Sequence, residues 1–238
     1  MSGHSKWSKI QRQKGAADVK KGALFTKLAN AVTLAASSGG GDVDMNFKLK
    51  LAIDQAKSAN MPKENIERAI KRGTGELAGG PIEELRYEGF GPQGVALIID
   101  CLTDNRNRAL SEIKQILSKH SGSLAGQNAV AWQFESKGVI IVNTVNTVDK
   151  EKLEMAIIDS GAQDYFNEND HMIIYTQPKQ LQKVKESLEK SGFQIENADL
   201  EMVAKEKVKV ESPQKLEELF NALDDIADVS NYYSNADV

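Results

Sequence analysis

The side chains that could do chemistry in this 238-residue chain are few and scattered. The three histidines, His4, His120 and His171, stand in unrelated contexts. None has a partner at i+4 or a neighbouring C-x-x-C pair, so each reads as a surface or packing histidine rather than a metal ligand. The only cysteine, Cys101, ends an apolar run and is expected to be a small buried hydrophobe. Glu83, Glu84 and Glu88 cluster ahead of a turn, where a solvated face is expected and a general acid is the alternative. G-x-S-x-G, the P-loop lysine and H-E-x-x-H do not occur. The pattern is not that of an enzyme.

Residues 89–94, GFGPQG, match G-x-G-x-x-G as letters. A dinucleotide loop must open a helix, because the pyrophosphate rests on N–H groups at the helix N-terminus. The run after Gly94 is Val95-Ala96-Leu97-Ile98-Ile99-Asp100-Cys101-Leu102, rich in β-branched residues and suited to a buried strand. Pro92 also removes a donor from the supposed cradle. The glycines are therefore expected to turn one strand, 84–88, into another, 95–102.

The chemistry that does stand out is cationic. Lys6, Lys9, Arg12, Lys14, Lys20, Lys21 and Lys27 lie within 22 positions, offset only by Asp18 and accompanied by Trp7. The net charge of −4 hides a division: residues 1–72 hold 14 Lys/Arg against six Asp/Glu, a net of +8, leaving −12 for the rest. A basic end on an acidic body fits a polyanion bound through counterion release. Trp7 could stack on an unpaired base. A second candidate is Arg106 and Arg108 in Thr103-Asp104-Asn105-Arg106-Asn107-Arg108. Cations in the first turn of a helix oppose its dipole, a conflict that an anionic partner would relieve; a solvated turn capped by Asp104 is the plainer reading.

These residues need a scaffold, and the periodicity supplies one. The first fifteen residues form a basic arm without periodicity. Three helices come after it: from Ala16 to Gly39-Gly40-Gly41, a second after Asp42-Val43-Asp44, and a third over Pro62–Arg72 laced by Glu64–Arg68 and Glu67–Lys71. GTGELAGGP at 73–81 is a linker. Beyond it come the hairpin, a helix from Asp104 to about Lys119, and a half-buried strand in which Val130, Trp132 and Phe134 alternate with polar neighbours. From 139 there is a β-α-β-β-α-β series, then a helix after Ser212-Pro213 and a terminal strand, Val229–Tyr233. The class is α+β, with sandwiches of the ferredoxin-like sort. No apolar run approaches the roughly 18 residues of a membrane span. Ser2 argues against N-myristoylation, and the single cysteine allows no intrachain disulfide, so the cytoplasm is expected.

GHSKW at the N-terminus with LFTKL after it, NMPKENIERAIKRGTG at 60–75, YEGFGPQGVALIIDCLTDNRNR at 87–108 and SKHSG near 120 resemble the YebC/PmpR family. The resemblance runs along most of the chain, carried after Lys137 by length and pattern rather than motif. It implies a helical domain over 1–75 and two ferredoxin-like α/β domains, the third (137–205) inserted into the second (76–136 plus 206–238). It also implies a DNA-binding transcriptional regulator without catalytic residues or small-molecule cofactor. Similar mitochondrial proteins are described as translational activators, so a translation factor binding ribosomal RNA on the ribosome is the alternative partner assignment. A protein–protein module with an incidental tail is a third reading. The nucleic-acid contacts expected are Lys6, Trp7, Lys9, Arg12, Lys14, Lys20, Lys21, Lys27, Arg106 and Arg108.

Overall fold

The computed structural model describes residues 21–144, 149–168 and 170–237, without the side chain of Lys21. Three helices open it: α1 (Lys21–Gly39), α2 (Phe47–Ser58) and α3 (Lys63–Gly73). Their apolar positions recur at three and four residues, so Val32, Ala35 and Ala36 meet Leu49, Ile53, Ala56, Ile66 and Ala69 in one core. Small residues bring the helices close: a methyl group on Gly73 would run into the Thr33 carbonyl of α1.

Asn46 pins the turn between α1 and α2. Its Oδ1 accepts from Leu49 N–H at 3.1 Å, capping α2, while its Nδ2 donates to Ala35 O and Gly40 O, each at 2.8 Å. One buried amide thus serves the orphan groups of two helix ends. Asn46→Ala is expected to destabilise the bundle by about 1–3 kcal/mol, read as a lower urea midpoint of the helical signal. The expected lacing of α3 shifts by one turn, since Glu67 pairs with Lys63 at 3.5 Å.

The hairpin forms as expected. Strands β1 (Glu83–Phe90) and β2 (Ala96–Thr103) pair antiparallel in continuous register from Glu83↔Thr103 to Phe90↔Ala96. The turn between them is a single 3-10 turn, Pro92–Gly94, with Gln93 at φ 60° and Gly94 at φ 75°, and β2 rather than an α-helix follows it. Helix α4 (Arg106–Lys119) and strand β3 (Ser123–Ala125) come next. The cap of α4 is Asn105, not Asp104: its Oδ1 accepts from Arg108 N–H at 3.1 Å, which leaves the Asp104 carboxylate free for ion pairs.

The chain then enters a compact unit, Phe134–Val203. It comprises β4 (Phe134–Asn143), α5 (Lys150–Ser160), β5 (Asp164–Glu168), β6 (His171–Thr176), α6 (Leu181–Lys190) and all but the last residue of β7 (Ile195–Ala204). Its sheet order is β5-β6-β4-β7, the order of a ferredoxin-like split β-α-β pair. One face buries Ile140, Val142, Met172 and Ile174 under Leu153 and Ile157 of α5 and Val184 and Leu188 of α6.

After Val203 the chain returns to the first unit with β8 (Val208–Lys209), α7 (Pro213–Asp225), β9 (Val229–Ser234) and β10 (Ala236–Asp237). Strand β9 joins the hairpin, giving the order β3-β1-β2-β9, while β8 and β10 pair parallel to each other. Leu97, Ile99 and Cys101 alternate onto the face covered by Ile113 and Leu117 of α4 and by Leu216, Leu219, Phe220 and Leu223 of α7. Tyr232 belongs to this core, stacked on Phe220 with centroids 5.0 Å apart. Helix α1 lies against β2 and β9 of the same unit.

Two sequence expectations change here. Residues 130–134 do not form an alternating strand: Ala131–Gln133 is a single 3-10 turn, and β4 starts only at Phe134. Glu88 is not solvated; it is 6 % exposed. The two corrections have one cause. The Glu88 carboxylate accepts N–H bonds from Asn128 (2.6 Å), Val130 (2.7 Å) and Ala131 (2.9 Å), and a segment whose N–H groups converge on one anion cannot extend into a ladder.

Candidate nucleic-acid interface

Of the expected contact residues, Lys6, Trp7, Lys9, Arg12, Lys14 and Lys20 lie outside the described residues, and Lys21 opens α1. The others fall into two groups. Arg106 is exposed, and its Nη2 lies 3.4 Å from Glu83 across the mouth of the hairpin. Lys27 and Arg108 instead converge on the end of α7. The Lys27 ammonium donates to the Asp224 carbonyl at 2.6 Å, where the helix dipole favours a cation. Arg108 grips Asp228 through Nε at 2.9 Å and Nη2 at 2.8 Å, and Nη2 also reaches Asp104 at 3.0 Å. These bonds, that to Asp228 foremost, hold the Arg108 guanidinium firmly charged. The anion that a cation at the start of α4 requires is therefore inside the chain.

Around this junction runs a groove of about 550 Å³, lined among others by Asn30, Arg72, Asp104, Arg108, Asp225 and Asp228. Asn30 Nδ2 donates to Leu102 O at 3.1 Å. Arg72 reaches Gly80 O at 3.1 Å and Asp104 at 3.6 Å. With Glu112 the lining carries four carboxylates against two guanidiniums, so the groove repels a phosphate backbone. These contacts join the three-helix bundle to β2, to the start of α4 and to the end of α7.

The bundle turns a set of cations to water. Lys48, Lys50, Lys57, Lys63, Arg68 and Lys71 are all exposed, with Lys50 and Lys57 seven apart on one side of α2. At the bundle tip Met45 is 83 % exposed. This surface carries the same sign as the arm that precedes it in the chain.

The catalytic candidates resolve into structural roles. Burial pushes the Cys101 thiol up to about 12, away from any nucleophilic range. His171 is buried, with Nε2 2.9 Å from Glu196 Oε2. His120 is the C-terminal cap residue of α4. For Glu88, burial opposes ionisation, but the three N–H donors and then Arg86 outweigh it, and its pKa lies below the ordinary 4.5. A carboxyl held ionised in this way is a poor general acid at neutral pH. Among the described residues no group of three His, Cys, Asp or Glu side chains is placed to hold a metal ion. None of their helices is long and apolar enough to cross a membrane.

Sequence reasoning missed Asp228, Arg72 and Asn30, because each acts across 32 to 120 positions. The one local signal was the pair of first-turn arginines, which announced an anion without saying where it lies.

Comparison with known proteins agrees with the fold. The chain is 46 % identical over 240 residues to a "Probable transcriptional regulatory protein" of Thermoanaerobacter pseudethanolicus, covering all of this chain and 98 % of that one. It is 48 % identical over 239 residues to one of the same name from Persephonella marina, covering 99 % and 95 %. A crystal structure of a conserved hypothetical protein from Aquifex aeolicus matches with a TM-score of 0.86 at 43 % identity, over 92 % of this chain and 91 % of that one. Residues 5–76 match the family model of the TACO1/YebC protein N-terminal domain, and residues 82–236 that of the TACO1/YebC second and third domain. Together they span nearly the whole sequence, and the chain belongs to the TACO1/YebC family.

Proposed function

We propose that this protein is a non-enzymatic, nucleic-acid-binding regulator of gene expression that controls transcription by binding DNA; its relatives are named probable transcriptional regulatory proteins. Contact runs through the arm (Lys6, Trp7, Lys9, Arg12, Lys14), Lys20 and Lys21 that come after it, and the exposed cations of the bundle. The observation that carries this reading is the division of charge, +8 over residues 1–72 against −12 over the rest. An acidic body turns a polyanion away, so the basic end leads the approach. Lys27 and Arg108 hold the scaffold, and Arg106 sits at its margin.

A second reading has an observation of its own. The exposed face of α3 mixes Lys63, Arg68 and Lys71 with Glu64 and Glu67, a poor surface for reading base edges in a major groove. Backbone contact without base readout suits folded ribosomal RNA as well as duplex DNA, and the second reading is a ribosome-associated translation factor.

Co-sedimentation with ribosomes, beside binding to random-sequence duplex DNA, both across a salt series, separates the two. A DNA site that survives competitor while ribosome binding is stripped means transcriptional control. Retention on ribosomes at salt that strips DNA means a translation factor. Failure of both leaves a protein–protein module and ends the nucleic-acid reading.

A further inference from the structure

Trp132 is 68 % exposed, on a turn that is otherwise fixed at every point. Its indole Nε1–H is satisfied locally, donating to Ala129 O at 3.1 Å. The turn beneath it is clamped by the three N–H bonds to Glu88. On the other side the Trp132 carbonyl accepts from Lys205 Nζ at 2.8 Å, and the Gln133 carbonyl accepts from Lys205 N–H at 2.9 Å. The Gln133 side chain accepts from Asn235 Nδ2 at 2.9 Å, and Asn235 O in turn accepts from Val208 N–H at 2.7 Å. The indole is thus held in place with its polar atom already used, so what it offers a partner is a flat π-surface.

Next to it runs Lys205-Glu206-Lys207-Val208-Lys209, all five residues exposed. Three lysines against one glutamate make this segment a cationic strip on a net acidic body. Lys207 and Lys209 are two positions apart in extended chain, a step of about 6–7 Å. A fixed aromatic face beside evenly spaced cations is the pairing that binds an unpaired base by stacking and its backbone by charge.

We propose that Trp132 with Lys205, Lys207 and Lys209 forms a second contact, separate from the N-terminal arm, for an unpaired single-stranded stretch of nucleic acid. The proposal rests on the nucleic-acid reading above and adds to it the strandedness of the ligand and the place where it lies. Duplex DNA presents no free base face to Trp132, whereas a loop, a bulge or a melted strand does.

The chain has two tryptophans, so the full-length variant Trp7→Phe leaves Trp132 as its sole indole. Its emission is followed while twelve-residue oligo-dT, oligo-U or a duplex is added, and the anisotropy of a labelled oligonucleotide reports total binding independently. Saturable quenching by a single strand but not by the duplex, weakened about fivefold to tenfold by adding Lys207→Gln and Lys209→Gln, is the expected result. The two single strands rank DNA against RNA as the source. Binding seen by anisotropy with unchanged Trp132 emission would overturn this site and leave the arm as the interface. Quenching indifferent to the two lysine substitutions would overturn it as well. Absence of binding to single strand and duplex alike would remove both this site and the reading on which it rests.

Discussion

Glu88→Ala is expected to lower the stability of the unit that carries the β3-β1-β2-β9 sheet by about 3–4 kcal/mol at pH 7, far more than a surface glutamate in a charged cluster would suggest. The substitution strips the acceptor from three N–H groups, of which that of Val130 is fully buried. It also leaves the turn at Ala131–Gln133 without its anchor, so the loss extends to the contacts of Lys205 and Asn235. The dependence on pH comes from the direction of the shift. The folded pKa lies below the ordinary 4.5, so the unfolded chain takes up the proton first as pH falls. The stabilisation is therefore complete above about pH 4.5 and fades as pH drops through the folded value. Urea unfolding of wild type and Glu88→Gln at pH 7 and near pH 4 measures this. The gap between them should narrow at the lower pH, and a gap that widened would sink the account.

The second large effect concerns affinity. Deleting residues 1–20 removes Lys6, Lys9, Arg12, Lys14 and Lys20 and should weaken binding to random duplex DNA about 10²–10³-fold at low salt. The slope of log K against log salt should become shallower by about four, the sign of lost phosphate contacts rather than of lost fold. Arg108→Ala provides the contrast. It leaves the Asp228 carboxylate, 6 % exposed, without its bidentate partner, and with the guanidinium itself half-exposed a loss of about 1–3 kcal/mol of stability is expected. Its salt slope should match wild type. A slope that fell with Arg108→Ala while stability held would return that arginine to the binding surface.

These two residues show where a sequence stops being legible. Helices could be placed because a helix writes its buried face into spacings of three and four, as Leu153 and Ile157 or Leu216, Leu219 and Leu223 do. The hairpin was equally readable, since Pro92 and the glycines around it leave the chain few alternatives to a turn. Trp132 misled because Val130, Trp132 and Phe134 alternate as a strand would, while the decisive term was an anion 42 positions upstream. Arg108 announced a conflict with its own helix dipole, yet its resolution at Asp228 lies 120 positions away. Local propensity and period are written locally; satisfaction of buried charge is not. The interface stands in between, because composition points to a basic end but not to which lysines stay free once the chain folds.

One consequence of a sheet completed by a strand from far along the chain concerns time. Strand β2 is completed from the far end of the chain: Ala96 N–H donates to the Asn235 side chain across 139 positions, and Leu97 pairs with Ser234. At about 5–20 residues per second, the ribosome makes β2 roughly 7–28 s before the strand that covers its edge. For most of that interval Leu97, Ile99 and Cys101 lack the cover of α7, while the unit Phe134–Val203, whose sequence is unbroken, can close on its own as soon as it emerges. The half-built sheet is an open edge backed by an apolar face, the kind of surface on which nascent chains pair with one another. A protein born in this order is exposed to aggregation by slow translation of its last hundred residues, and a synonymous change that stalls synthesis there would reduce its yield without altering a single side chain.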